Sequence, residues 1–392
     1  MYLDYTPAQK ALREEIRAYM TKLMTPELEQ ELIDTHAGGP LFLEAVRQMG
    51  RDGWLGLGYP KAVGGLERGA VDQFIFSDEV QGFGFPLPIL TLNTVGPMIL
   101  QYGSDAQREK YLPDILAGEC HFSIGYTEPN SGTDLASVKT RAELDGDEFV
   151  ITGQKIWTSL ADHADYMWLL ARTNPEAPAH SGLSMIIVPV DSPGIEMTRI
   201  HAVGDNSVFA VYYDNVRVPK ENLVGELHGG WRLLTGQLNH ERIALSTVAP
   251  LRRLTRQTRD YAAGVEVGPG ERLLDQPWVQ QNLAELEVDL DTLEFMNAKQ
   301  AWAIDENRLH PADASAIKVF GSELYIRGAR LLMEILGDAA TIRTDSPGVA
   351  LKGEVERFYR TSLLLTYGGG TNEVQRDIIG MAGLRFPRAK RR

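Results

Sequence analysis

Apolar side chains recur at helical spacing through the first third of the chain. Thr6-Pro7-Ala8-Gln9 supplies an N-cap, a proline at the first helical position and a glutamine three residues after the cap; Leu12, Ile16, Tyr19 and Leu23 then continue on one face. Ser104-Asp105-Ala106-Gln107 repeats the pattern ahead of Tyr111, Leu112 and Ile115. Between them the spacing predicts helices over Val71 to Val80 and Leu92 to Tyr102, with a glycine-rich connection from Arg51 to Gly69. The helical part is expected to end near Glu119.

From Phe122 to about Leu227 the period shortens. Asp145-Gly146 separates Thr140 to Leu144 from Glu148 to Thr152, a hairpin signal. Tyr166 to Ala171, Leu183 to Val190 and Val208 to Val218 are rich in β-branched and aromatic residues and are punctuated by Asn, Pro, Ser and Gly. A compact all-β domain, barrel or sandwich, is expected there. After Gly229-Gly230, helical spacing returns over Trp231 to Ala263, Trp278 to Asn307, Ala312 to Leu336 and Val349 to Thr366, with a shorter helix after Thr371. Long antiparallel helices with short links predict a bundle. The expected fold is therefore α+β in three domains: N-terminal helices (1–120), a central β-domain (121–228) and a C-terminal four-helix bundle (229–392).

Charge and composition exclude several functions. A net charge of −14 argues against nucleic acid as a general partner, because phosphate backbones are held by clustered Lys and Arg. No run of 18 apolar residues occurs, so no membrane span is expected. Cys120 is the only cysteine and the N-terminus lacks a basic flank or apolar run; a cytoplasmic location is the expectation. The eight histidines are scattered without ligand spacing, so no metal is expected, and no nucleophile elbow or phosphate-binding loop appears.

Two features carry candidate chemistry. The stretch from Ile124 to Ser159 packs Tyr126, Thr127, Pro129, Ser131, Gly132 and Thr133 into a turn-rich run and ends on Trp157, Thr158 and Ser159. Hydroxyls, a glycine that admits close approach and an amphipathic aromatic offer a large polar cofactor main-chain donors and a flat apolar wall. By themselves these residues also fit an ordinary loop feeding a hairpin. The second feature is Glu241, which fills a gap in the apolar stripe of Leu234, Leu238, Leu245 and Val248. A carboxylate facing apolar surroundings loses hydration, and its pKa rises toward the range of a general base. A glutamate buried against a neighbouring arginine fits the same pattern.

Thr127-Glu128-Pro129-Asn130-Ser131-Gly132-Thr133-Asp134 and Lys155-Ile156-Trp157-Thr158-Ser159 resemble the flavin-binding signature of the acyl-CoA dehydrogenase family. The resemblance continues through Asn239-His240-Glu241-Arg242 and Gly370-Thr371-Asn372-Glu373 and covers nearly the whole chain. It implies FAD as cofactor, held by Tyr126, Thr127, Gly132, Thr133, Trp157, Thr158 and Ser159, with Gly370, Thr371 and Glu373 as a second segment. Trp157 is then expected against the isoalloxazine and Ser159 near N5. Many members carry the catalytic base in a C-terminal Tyr-Glu-Gly-Thr motif; here Tyr367-Gly368-Gly369-Gly370-Thr371 places Gly369 at that point. Glu241-Arg242 instead matches the isovaleryl-CoA type, whose base lies on the first bundle helix. The resemblance thus implies that Glu241 removes the pro-R α-proton of a CoA thioester while a β-hydride passes to flavin N5, that Asn239 and Arg242 contact substrate, and that an electron-transfer flavoprotein or similar acceptor reoxidises the enzyme.

The family pattern breaks at Arg272 to Gln276 and Glu334 to Ala340, where segments that reach a neighbouring subunit's FAD usually lie. Asp338 and Glu334 beside a pyrophosphate would repel it. The expectation is a heterotetramer with a paralogous chain, otherwise a homo-oligomer. That arrangement resembles the catalytic subunits of the actinobacterial steroid side-chain acyl-CoA dehydrogenases, and the resemblance implies a bulky acyl-CoA substrate in lipid and steroid degradation. Two alternatives stand beside it: an acyl-CoA oxidase and a non-catalytic scaffold subunit.

Overall fold

The computed structural model describes residues 4–35, 38–204, 207–240, 247–344 and 346–387. Its first helices are α1 (Pro7–Leu23), α2 (Pro26–Thr35), α3 (Pro40–Arg51), α4 (Ala70–Gly82), α5 (Gly96–Tyr102) and α6 (Asp105–Ala117). Strands follow as β1 (Phe122–Gly125), β2 (Arg141–Asp145), β3 (Glu148–Ser159), β4 (Tyr166–Arg172), β5 (Leu183–Pro189), β6 (Ile195–His201), β7 (Ser207–Pro219) and β8 (Leu223–Val224). The chain ends in α7 (Gly230–His240), α8 (Ala249–Gly264), a small hairpin β9 (Glu266–Gly268) and β10 (Glu271–Arg272), then α9 (Pro277–Asp305), α10 (Pro311–Leu336), α11 (Glu354–Ser362) and α12 (Asn372–Ile378). It is an α+β fold. Among the described residues no helix is long and apolar enough to cross a membrane, and no cluster of side chains could hold a metal ion.

These elements divide into two compact units, Pro26–Arg68 with Pro88–Glu241, and Met1–Thr25 with Gly69–Leu87 and Arg242–Arg392. The first is built on an eight-stranded sheet in the order β6-β7-β3-β2-β4-β5-β8, with β1 parallel to β4. Alternate residues Met167, Leu169, Ala171, Ile186, Val188, Phe209, Val211 and Tyr213 form one apolar face. The β2–β3 hairpin pairs Asp145 with Glu148, so its turn is Gly146-Asp147, one residue later than Asp145-Gly146 suggests; Gly146 takes φ +64. Both capping boxes form as the sequence implies. That of α6 does more: the Gln107 amide also donates to the carbonyls of Glu221 and Leu223 at 2.7 and 2.9 Å, tying the helix to β8.

In the second unit, α8 to α11 close around Leu251, Leu254, Leu286, Leu290, Leu324, Leu332 and Val355. Helix α4 packs against α1, α8 and α9. The α1 guanidinium of Arg17 meets Glu79 of α4 at 2.7 Å, and Arg13 pairs with the same carboxylate. The periodicity from Trp231 to Ala263 suggests one helix, but α8 starts afresh at Ala249 with Pro250 in its first turn. Its capping group comes from far away in sequence: the buried Asp78 carboxylate accepts from the amides of Val248 (2.8 Å) and Ala249 (2.9 Å).

Candidate functional site

The site grows from a defect in the β3–β7 ladder. Lys155 pairs with Val211 and Thr158 with Phe209, so Ile156 and Trp157 together oppose Ala210. This bulge gives Trp157 a φ of +61, an unfavourable backbone for a bulky residue. Its effect is to shift the buried positions from Lys155 to Thr158 and leave the Trp157 ring 53% exposed at the end of a strand otherwise packed into a core. Strained backbone of this kind clusters at ligand sites, which makes Trp157 a candidate contact.

Beside the bulge, the loop Tyr126–Ser131 is fastened to β3 by main-chain and ionic links. Thr127 accepts from the Ile156 amide at 2.8 Å, and Glu128 and Ser131 exchange main-chain hydrogen bonds. Lys155, 1% exposed, donates to the Tyr126 carbonyl (3.1 Å) and to Glu128 (2.8 Å). The same Glu128 carboxylate accepts from the amides of Lys139 (2.6 Å) and Thr140 (2.8 Å). Burial opposes ionisation of Glu128, but Lys155 and the two amides outweigh it and hold the carboxyl below its ordinary range. Burial draws the Lys155 ammonium down to about 8 against the upward pull of Glu128. At neutral pH both groups carry charge, and the pair clamps three chain segments together.

Of the residues singled out from sequence, Tyr126, Thr127, Gly132, Thr133, Trp157, Thr158 and Ser159 lie in this one unit. Gly132 sits beside Thr127, where an added Cβ would lie 3.7 Å from its methyl group. The Tyr126 hydroxyl accepts from the buried Trp168 indole at 3.0 Å, and the Ser159 carbonyl accepts from Ser123 at 2.6 Å. Thr158 turns inward, its hydroxyl buried without a partner among the described residues. Gly370, Thr371 and Glu373 belong to the helical unit, where Thr371 caps α12 by accepting from the Val374 amide at 3.2 Å and Glu373 is exposed. Glu241 and Arg242 lie outside the described residues, and for Asn239 only the backbone within α7 is described. On the stripe of Glu241, Leu234 and Val248 are buried; Leu245 and the Leu238 side chain are outside the description. In the sequence Glu128 and Lys155 stand only as letters of a motif; opposite charges 27 residues apart give no periodic signal of their pairing.

Models of the acyl-CoA dehydrogenase N-terminal, middle and C-terminal domains match residues 6–119, 123–216 and 228–384. This chain belongs to the acyl-CoA dehydrogenase family. The acyl-CoA dehydrogenase FadE26 of Mycobacterium tuberculosis is 50% identical over 401 residues, covering 100% of both proteins. A crystal structure of the ChsE4-ChsE5 complex from Mycobacterium tuberculosis matches with a TM-score of 0.94 at 50% identity, over 99% of this chain and 100% of that one. The Tcur3481-Tcur3483 steroid ACAD matches with a TM-score of 0.94 at 46% identity, over 99% and 100%. The chain is accordingly an oxidoreductase that introduces a double bond between the α and β carbons of an acyl-CoA, and the acyl-CoA dehydrogenase family is flavin-dependent.

The residues fit a flavin. The exposed Trp157 ring offers a flat wall, the half-buried Ser159 and Thr127 offer hydroxyls beside it, and the clamped loop fixes the main chain between them.

Proposed function

We propose that this dehydrogenase uses FAD and acts on a bulky, steroid side-chain acyl-CoA as the catalytic subunit of a heteromeric complex with a paralogous chain, in the cytoplasm. The observation that carries the flavin part is the bulge that turns Trp157 outward beside the loop locked by Glu128 and Lys155. FAD, when bound, supplies the hydride acceptor. Tyr126, Thr127, Gly132, Thr133, Trp157 and Ser159, with Thr158 through its main chain, hold it from the β-domain, and Gly370, Thr371 and Glu373 form a second segment. Glu241 accepts the α-proton of the thioester, and Asn239 and Arg242 hold the substrate. For this purpose residues 1–120, 121–228 and 229–392 act as three domains.

The partner reading is supported by the complexes named above, each similar over nearly the whole of this chain. Exposed Glu334 and Asp338 support it too, since they occupy a segment where other family members meet a neighbour's pyrophosphate. Native mass spectrometry of the chain expressed alone and with its paralogue tests the assembly: FAD is expected in the complex, and stoichiometric FAD in the lone chain would remove the need for a partner. Glu241→Gln in the complex should lower turnover of a steroid side-chain acyl-CoA about 1000-fold while FAD stays bound; unaltered turnover would refute its role as base.

A further inference from the structure

The turn from Gly368 to Thr371 is held from beneath by a second buried lysine. Lys318 of α10 is 5% exposed and donates to the Gly370 carbonyl and to the Asn372 side-chain oxygen, both at 2.7 Å. Asn372, itself 4% exposed, donates to Ser322 at 3.0 Å and to Glu323 at 3.2 Å, so the ammonium's acceptor is fixed in turn. Buried Gln375 of α12 donates to the Gly369 carbonyl at 3.4 Å. Gly369 and Gly370 both take left-handed backbone angles, φ +67 and +92, and a Cβ on Gly370 would lie 2.8 Å from the Gln375 amide nitrogen. This path suits glycine alone.

A trans peptide sets its N–H opposite its C=O. Drawing the Gly370 carbonyl inward to Lys318 therefore turns the Thr371 N–H outward. Drawing the Gly369 carbonyl toward Gln375 does the same for the Gly370 N–H. Neither amide meets a main-chain acceptor among the described residues, and Gly370 is exposed. An apolar side chain at 318 would fill the same buried position without the cost of burying an ammonium. Lys155 acts alike in the other unit, where it donates to the Tyr126 carbonyl at 3.1 Å.

We propose that Lys318, supported by Gln375, is a positioning residue: it holds the carbonyls of the Gly369–Thr371 turn inside the protein so that the amides of Gly370 and Thr371 are presented to the FAD. This rests on the assignment of that turn to the cofactor in the proposed function. Lys318 touches no ligand itself; it acts through the main chain.

The test uses the purified enzyme with its native subunits, stripped of flavin and titrated with FAD, at a temperature where circular dichroism shows every variant folded. Lys318→Met should raise the FAD dissociation constant about 30-fold, the value of one lost charge-assisted hydrogen bond, and alter the bound-flavin absorbance band. Lys318→Arg, which can still donate to Gly370, should recover to within about 5-fold of the parent. A folded Lys318→Met with an FAD dissociation constant within about 3-fold of the parent would overturn the proposal, because a purely structural lysine would lower the melting temperature and leave that constant alone. Where Lys318→Met does not fold, Gln375→Leu takes its place: a rise of about 5-fold supports the proposal and an unchanged constant overturns it. A parent enzyme that takes up no FAD would overturn the flavin reading itself, a failure distinct from variants that bind as the parent does.

Discussion

Replacing Lys155 with methionine removes the only charge in a side chain of nearly the same length and leaves the Glu128 carboxylate, 9% exposed, without its cation. Breaking a buried ion pair from one side costs about 3–5 kcal/mol, because the remaining charge has lost its compensation. Glu128 keeps the amides of Lys139 and Thr140 at 2.6 and 2.8 Å, which places the loss at the lower end, about 3 kcal/mol. A domain has only about 5–15 kcal/mol to lose, so the β-domain should unfold at visibly lower urea. The assay is urea unfolding of flavin-free protein at neutral pH, followed by far-ultraviolet circular dichroism. Adding Glu128→Gln to Lys155→Met should return about half of the loss, since a neutral amide no longer needs the ammonium. A loss below about 1 kcal/mol in Lys155→Met, or a double variant weaker than the sum of the singles, would refute the clamp.

At position 157 the left-handed φ predicts an inverted order of substitution: Trp157→Gly should be more stable than Trp157→Ala by about 1 kcal/mol, the reverse of an ordinary strand position, and thermal melts of the two variants check it. Both should bind FAD more weakly than the parent, read by flavin fluorescence. Burial lifts the Asp78 carboxyl from 3.8 to about 6, against the two amides that favour its charged form. Folding therefore favours its protonated form; the stabilisation is complete below 3.8 and lost as pH rises through about 6. Asp78→Asn keeps an acceptor for the Val248 and Ala249 amides without the charge, and should gain up to about 3 kcal/mol over the parent at neutral pH, a gain that vanishes near pH 4. Stability measured across that range decides it.

Local signals in the sequence proved readable wherever the partners lie within a turn of each other. The capping boxes of Thr6 with Gln9 and Ser104 with Gln107 form because the residues three apart meet by helix geometry alone. The hairpin was legible too, yet its turn sits one residue later because the cross-strand pair Asp145 with Glu148 leaves Gly146 to supply the positive φ. The start of α8 escaped the periodic pattern: the apolar spacing runs on past Pro250, while the group that caps the new helix, Asp78, stands 170 residues earlier. The candidate site divides in the same way. Trp157 could be named from its motif, but its bulge depends on the register against Ala210, and the Glu128–Lys155 clamp depends on burial that no window of sequence reveals.

Helix α1 belongs to a unit whose parts are translated far apart in time. With Leu12, Ile16 and Met20 buried, it packs on α4, where Arg13 and Arg17 reach Glu79. Part of α4 waits longer: Phe74 and Ala70 cluster with Ala301 of α9, which is made more than 200 residues later. At the usual pace of translation that is a delay of about 10–40 s. A two-helix fragment is too small to hold itself together for so long, so the nascent protein carries an open apolar strip until α9 is made.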